Sequence, residues 1–177
     1  SDPSEMPLDG IYQSKRGGLG MCKQTEPDNN DWGESLKSAL RCRPRYILVG
    51  EIRTPDCASQ ILRAATSGHL VLSTIHANSV EDALNSVIKY AMSADLSEEL
   101  AADLLGRGIL GVIHQKLQGI KTLFPEVRFV FANPDPTAAD QLRIAIRDRQ
   151  IALGTLMESQ SARMFQGKPL FKEPEKG

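Results

Sequence analysis

The sequence predicts an α/β protein with a parallel sheet, and two observations lead to this prediction. Short, continuous apolar runs at 46–49 and 70–72 are typical of strands buried on both faces of a parallel sheet. Each run is followed by a segment with helical periodicity that opens on a capping residue, Thr54 in one case and Ser79 in the other. This alternating order of strands and helices indicates βαβ units.

Local signals mark the remaining elements. Further helices are predicted after Asp31, after Ser97, after Thr137 with Asp140, and over 149–164. The run at 109–113 fits either a strand or a buried helix, while 127–131 alternates as an edge strand does. The first 31 residues suit loops or short hairpin strands.

Composition narrows the class of protein. Apolar residues make up 41% of the 177 residues, and 21 basic against 22 acidic side chains leave a net charge of -1. That balance argues against a dominant nucleic-acid-binding surface. Three scattered cysteines indicate a reducing cytoplasm. No apolar run approaches the roughly 18 residues that a membrane span needs.

The acid that follows the first apolar run is the leading catalytic candidate. Glu51 stands where a buried strand ends, and ligands of open parallel sheets bind at that edge. A glutamate there can polarise a water for attack on a γ-phosphate, or hold that water through the shell of a magnesium ion. The alternative is a structural salt bridge between Glu51 and Arg53 or another arginine.

Polar residues also follow the second apolar run. If the two strands are neighbours, His76 and Asn78 face the same crevice as Glu51, and the imidazole can donate to a phosphate oxygen. Alternatively, His76 is a helix-entry residue satisfied by backbone. A metal site of His69, His76 and Glu51 is disfavoured, because the spacing of seven directs the two histidines to opposite faces of a strand.

Two charged clusters remain open in their interpretation. The acids Asp2, Glu5 and Asp9 suit either a magnesium–nucleotide site or a solvated loop. The basic cluster consists of Arg41, Arg43 and Arg45. It suits contact with phosphate or nucleic acid, or a helix C-terminus, which favours positive charge.

Four segments together resemble the secretion-ATPase superfamily, which drives type II and type IV secretion, conjugation and the movement of type IV pili. The Walker B region of that family resembles residues 38–53, SALRCRPRYILVGEIR, and its His box resembles 66–79, TSGHLVLSTIHANS. The end of its Asp box is similar to 2–5, DPSE, although Ser1 stands where the first acid belongs. Residues 111–117, GVIHQKL, are similar to the segment after the His box.

The resemblance implies a partial RecA-like P-loop NTPase core with flanking helices and a small helical C-terminal region. The core would span 1–118, a C-terminal subdomain 119–165, and a flexible tail 166–177. Carried over by position, the catalytic residues would be Glu51, His76 and Glu5. The residues expected to bind the nucleotide are Asp2, Arg53, Thr74 and Asn78. Magnesium would be held through water by Glu51 and Asp2.

The resemblance also implies ATP and Mg²⁺ as cofactors and a homo-hexameric ring. The ring would be cytoplasmic, attached to the inner membrane through secretion or pilus machinery proteins, and without direct contact to nucleic acid. The four-cysteine zinc segment of some members does not occur here, which favours a relative of the pilus-retraction or conjugation type.

One departure from the family pattern concerns phosphate binding. The pattern G-x-x-x-x-G-K-[ST] does not occur in the sequence, and residues 17–23, GGLGMCK, lack its ending. We therefore expect a C-terminal fragment, cut downstream of the phosphate loop, that neither binds nor hydrolyses ATP well by itself. The alternatives are a non-catalytic module for ring assembly or docking, and a nucleic-acid-binding NTPase that uses the arginine cluster.

Overall fold

The computed structural model describes residues 8–27, 31–120, 122–135 and 138–171. Six strands and six helices occur in these ranges, and they confirm the predicted α/β character. The strands are β1 (Gly10–Gln13), β2 (Leu19–Cys22), β3 (Tyr46–Val49), β4 (Leu70–Ser73), β5 (Gly111–Gln118) and β6 (Phe124–Phe131). The helices are α1 (Trp32–Arg41), α2 (Pro55–Thr66), α3 (Val80–Ala94), α4 (Glu98–Gly108), α5 (Gln141–Arg147) and α6 (Gly154–Phe165).

Side-chain caps begin the first four helices where the sequence predicts them. In each case the capping oxygen accepts a hydrogen bond from the backbone N–H three residues later, which satisfies a group that the helix leaves unpaired. These capping residues are Asp31, Thr54, Ser79 and Ser97. Gly68 follows the end of α2 with φ of +90°, a left-handed conformation that glycine adopts without strain.

Strands β3 and β4 are parallel neighbours, with Tyr46 opposite Leu70 and Val49 opposite Ser73. Helix α2 connects the two strands and packs against α1, α3, α4 and β4. The largest apolar core lies on this helical side of the sheet and includes Val49 and the fully buried Ile88.

The prediction that both strands are buried on both faces is wrong. Tyr46, Leu48 and Leu72 lie on the face of the sheet away from the helices, and they are 69%, 65% and 54% exposed. A continuous apolar run predicts a strand but does not specify which elements cover it. In the described ranges, helices cover only one face of β3.

The ambiguous run at 109–113 enters a strand. Strand β5 pairs with β6 in antiparallel register, Gly111 opposite Phe131 and Gln118 opposite Phe124, which also confirms the predicted edge strand. The end of this hairpin is attached to α6. The buried Gln160 amide donates to the Phe131 carbonyl at 2.8 Å and accepts from the Phe131 N–H at 2.9 Å.

The last two helices begin later than predicted. Helix α5 starts at Gln141 with Asp140 as its cap, and Thr137, the predicted start, lies outside the described residues. Helix α6 starts at Gly154 rather than 149, because Arg149 adopts φ of +60° and leaves the helical path there. The predicted division of the chain at residue 118 stays a prediction; it falls between β5 and β6.

Candidate functional site

Glu51 follows β3 directly and lies at the carboxyl edge of the parallel pair. Its side chain is 20% exposed, so it is partly shielded from solvent but accessible. Its Oε2 accepts from Nε of Arg53 at 2.7 Å. The Glu51–Arg53 ion pair, which the sequence left open as a structural alternative, is therefore present.

His76 lies beside Glu51, as expected from two neighbouring strands. Its Nε2 is 3.5 Å from Oε1 of Glu51, so the imidazole faces the carboxylate rather than a backbone group. The side chain is 95% exposed. A contact this exposed is screened by solvent, so it is too weak to place the loop that carries His76.

Thr74 joins the two loops that leave the strands. Its hydroxyl donates to the Gly50 carbonyl at 2.6 Å, and its own carbonyl accepts from the Ile52 N–H at 2.9 Å. These bonds continue the β3–β4 ladder past the strand ends. Thr74 therefore holds the backbone on either side of Glu51 close to the loop 74–79.

Asn78 is turned toward the start of α3. Its backbone N–H and its side-chain amide both approach Oδ2 of Asp82, at 2.9 and 3.3 Å, and Ser79 caps the same helix. The structure thus brings Glu51, Arg53, Thr74 and His76 together and leaves Asn78 in a helix-entry turn beside them. Asp2 and Glu5 lie outside the described residues, so their predicted roles stay predictions.

The disfavoured metal site is not formed. His69 precedes β4 and lies at the opposite end of that strand from His76, with its Nδ1 3.3 Å from the Ala64 carbonyl. Within the described ranges no group of three or more histidine, cysteine, aspartate or glutamate side chains is arranged to hold a metal ion.

The arginine cluster lies at the other edge of the sheet from Glu51, before β3. Arg41 is in the last turn of α1, and Arg43 follows that helix with φ of +50°. Positive charge at a helix C-terminus is favourable, so this position supports the helix-end interpretation.

No described helix is long and apolar enough to cross a bilayer.

One contact of the site was missed in the sequence. Nε2 of His114, in β5, lies 3.1 Å from the Ala77 carbonyl in the loop after β4. The available signal was a histidine inside a largely apolar strand, 111–117. Its partner is a backbone group 37 residues away, which no side-chain pattern reveals.

Comparison with known proteins identifies the family of the chain. A family model described as "Type II/IV secretion system protein" matches residues 1–159. The chain belongs to this family. The type II secretion system protein E of Dickeya dadantii is 35% identical over 138 residues, which are 77% of this chain and 24% of that relative. The twitching motility protein of Neisseria gonorrhoeae is 29% identical, over 64% of this chain and 29% of its own length.

Solved structures of similar fold include the pilus retraction motor PilT with bound ADP, at a TM-score of 0.55 and 24% identity, covering 80% of this chain and 37% of that one. The ATPase DotB of Yersinia pseudotuberculosis has a TM-score of 0.58 at 19% identity, covering 92% of this chain and 40% of that one. These likenesses confirm a partial RecA-like α/β core. The chain spans less than a third of the two curated family members described above.

Proposed function

We propose that this chain is the C-terminal part of an ATPase motor domain that powers secretion, conjugation or type IV pilus movement. The observation that carries the proposal is the pair formed by Glu51 and His76, 3.5 Å apart at the carboxyl ends of two adjacent parallel strands. Ligands of open parallel sheets bind at this edge. Membership of the secretion family supports the same assignment.

The proposed chemistry assigns a separate task to each side chain. Glu51 accepts the proton of an attacking water or orients that water, with Arg53 holding its second oxygen in place. The exposed Nε2 of His76 donates a hydrogen bond to a phosphate oxygen. Thr74 and Asn78 shape the nucleotide side of the crevice through the turns that they close.

A magnesium ion fits the donor chemistry at this edge. Mg²⁺ retains several waters and takes one or two carboxylates beside the substrate phosphates, so a single accessible carboxylate such as Glu51 is a suitable partner through water. When bound, the ion would neutralise developing charge on the phosphates. Asp2 would be the second carboxylate and Glu5 a further catalytic acid.

ATP binding by the chain alone is proposed to be weak. The sequence has no match to the phosphate-loop pattern, so it lacks the backbone amides and lysine that hold the β- and γ-phosphates. Activity would require the full-length gene product, working as a cytoplasmic homo-hexamer that contacts inner-membrane secretion or pilus proteins.

The test is the steady-state, magnesium-dependent ATPase activity of the full-length gene product, wild type beside Glu51→Gln. Loss of general-base catalysis is expected to lower kcat by about 10²- to 10⁴-fold while ATP binding is retained. Glu99→Gln is the matched control, because Glu99 is an exposed acid in the first turn of α4. This control variant removes the same charge, and its ATPase activity is expected to equal that of wild type.

A non-catalytic assembly module is the second candidate, and the exposed apolar face of β3 and β4 is the observation that favours it. This candidate gains support if neither wild type nor Glu51→Gln hydrolyses ATP, whereas equal hydrolysis by both would show that activity does not depend on Glu51. Either result would remove Glu51 from its proposed catalytic role.

A further inference from the structure

The loop 74–79 is attached at its two ends by nearby groups. Thr74 bonds to Gly50 and Ile52, and Asn78 bonds to Asp82 at the start of α3. His76 lies between these two attachments. Its own contact with Glu51 is too exposed to fix the backbone of the loop.

A third attachment reaches this loop from a different sheet, the β5–β6 hairpin. Nε2 of His114 lies 3.1 Å from the Ala77 carbonyl oxygen, one residue after His76, and the contact is partly buried. A carbonyl oxygen can only accept, so Nε2 carries the proton and donates. Within the described part of the chain, the bond from His114 is the only hydrogen bond to the backbone of residues 75–77.

The strand that carries His114 is itself well anchored. His114 lies opposite Arg128 in the β5–β6 register, and β6 ends at Phe131, whose N–H and carbonyl both bond to the buried Gln160. The paired strands of the hairpin therefore connect the Gln160 attachment on α6 to the contact between His114 and Ala77. The position of the loop depends on this hairpin as well as on its own neighbours.

We infer that His114 is a positioning residue: its Nε2–H holds the Ala77 carbonyl and thereby places the imidazole of His76 beside Glu51. The inference rests on the proposed function only for the chemical role of His76. The placement of the loop is measurable without nucleotide and without hydrolysis. This inference and the proposed function can therefore fail separately.

The experiment uses nuclear magnetic resonance on the 177-residue chain. His114→Met removes the donor at similar volume, and His114→Gln keeps an N–H donor at similar reach. With His114→Met, exchange of the Asn78 amide is expected to accelerate about fivefold to tenfold, the effect of losing one hydrogen bond. The amide resonances of 75–78 and the ring signals of His76 should shift, and His114→Gln should return them toward wild type.

His69→Met is the matched control. His69 also contacts a backbone carbonyl, that of Ala64, but at the opposite end of β4. This variant should leave the signals of 74–79 unchanged. The amide of Val87, in the buried face of α3, reports global stability and should exchange as in wild type with His114→Met.

Several results would overturn the inference. They are unchanged loop signals with His114→Met, equal acceleration at Val87 and Asn78, a chain that no longer folds, or no recovery with His114→Gln. Each would mean that the contact is absent or supports the fold in general. If the loop responds as expected while Glu51→Gln leaves ATPase activity intact, His114 keeps its positioning role and the proposed function fails.

Discussion

The two faces of β3 are both apolar, yet they differ sharply in exposure. Ile47 and Val49 point toward the helices and are 7% and 5% exposed, whereas Tyr46 and Leu48 point away and are 69% and 65% exposed. The side chains alternate along one four-residue strand, so local sequence cannot explain the difference. It comes from the helices, which pack on one face only. Stability should therefore depend strongly on one face and weakly on the other.

The largest expected difference lies between two neighbouring residues of this strand. Ile47→Ala removes buried methyl groups and leaves a cavity, which should lower the free energy of unfolding by about 2–5 kcal/mol. Leu48→Ala, on the open face, should lower it by less than about 1 kcal/mol. Urea denaturation of both variants measures the two values. Equal losses would mean that another part of the chain covers the open face.

The reactivity of cysteines provides a second comparison between buried and exposed positions, this time on the helices. Burial raises the pKa of Cys57 to about 11, so at pH 8 only about one thiol in a thousand is ionised, while Cys42 is exposed. A thiol reagent should label Cys42 rapidly and Cys57 only after denaturant is added. Mass spectrometry of the labelled chain distinguishes the two sites. Rapid labelling of Cys57 without denaturant would show that α2 opens readily.

The smallest expected effect concerns Asp95, which connects the end of α3 to α2 on the helical side of the sheet. The Ser59 hydroxyl donates to this carboxylate at 2.6 Å and, with the Arg63 guanidinium, holds the pKa of Asp95 below its ordinary value. The stabilisation is present above the unfolded-state pKa, about 3.9, and is lost as pH falls through the lower folded-state value.

Because Asp95 is exposed, the contribution at neutral pH should not exceed about 1 kcal/mol. Asp95→Asn should therefore be slightly less stable than wild type at pH 7, and the difference should shrink below pH 4. Thermal denaturation at both pH values measures it. A gap that grows in acid would contradict the assigned direction of the pKa shift.

The sequence by itself determined the elements that depend on near neighbours. The caps at Asp31, Thr54, Ser79 and Ser97 each involve a backbone group only three residues away, so residue type and spacing suffice to predict them. The two strand-forming runs, and the acid and imidazole that follow them, were predictable because they too are local features of the sequence. The resemblance to the secretion-ATPase superfamily was visible in the motifs of residues 38–53 and 66–79.

Tertiary structure alone decided the features that join distant segments. It made β3 and β4 neighbours, which places His76 beside Glu51, and it left one face of their sheet open. It also brought His114 to a carbonyl 37 residues away. A backbone carbonyl is present at every position, so no sequence pattern marks the one that a distant side chain will contact. The packing of the hairpin against the sheet selects it.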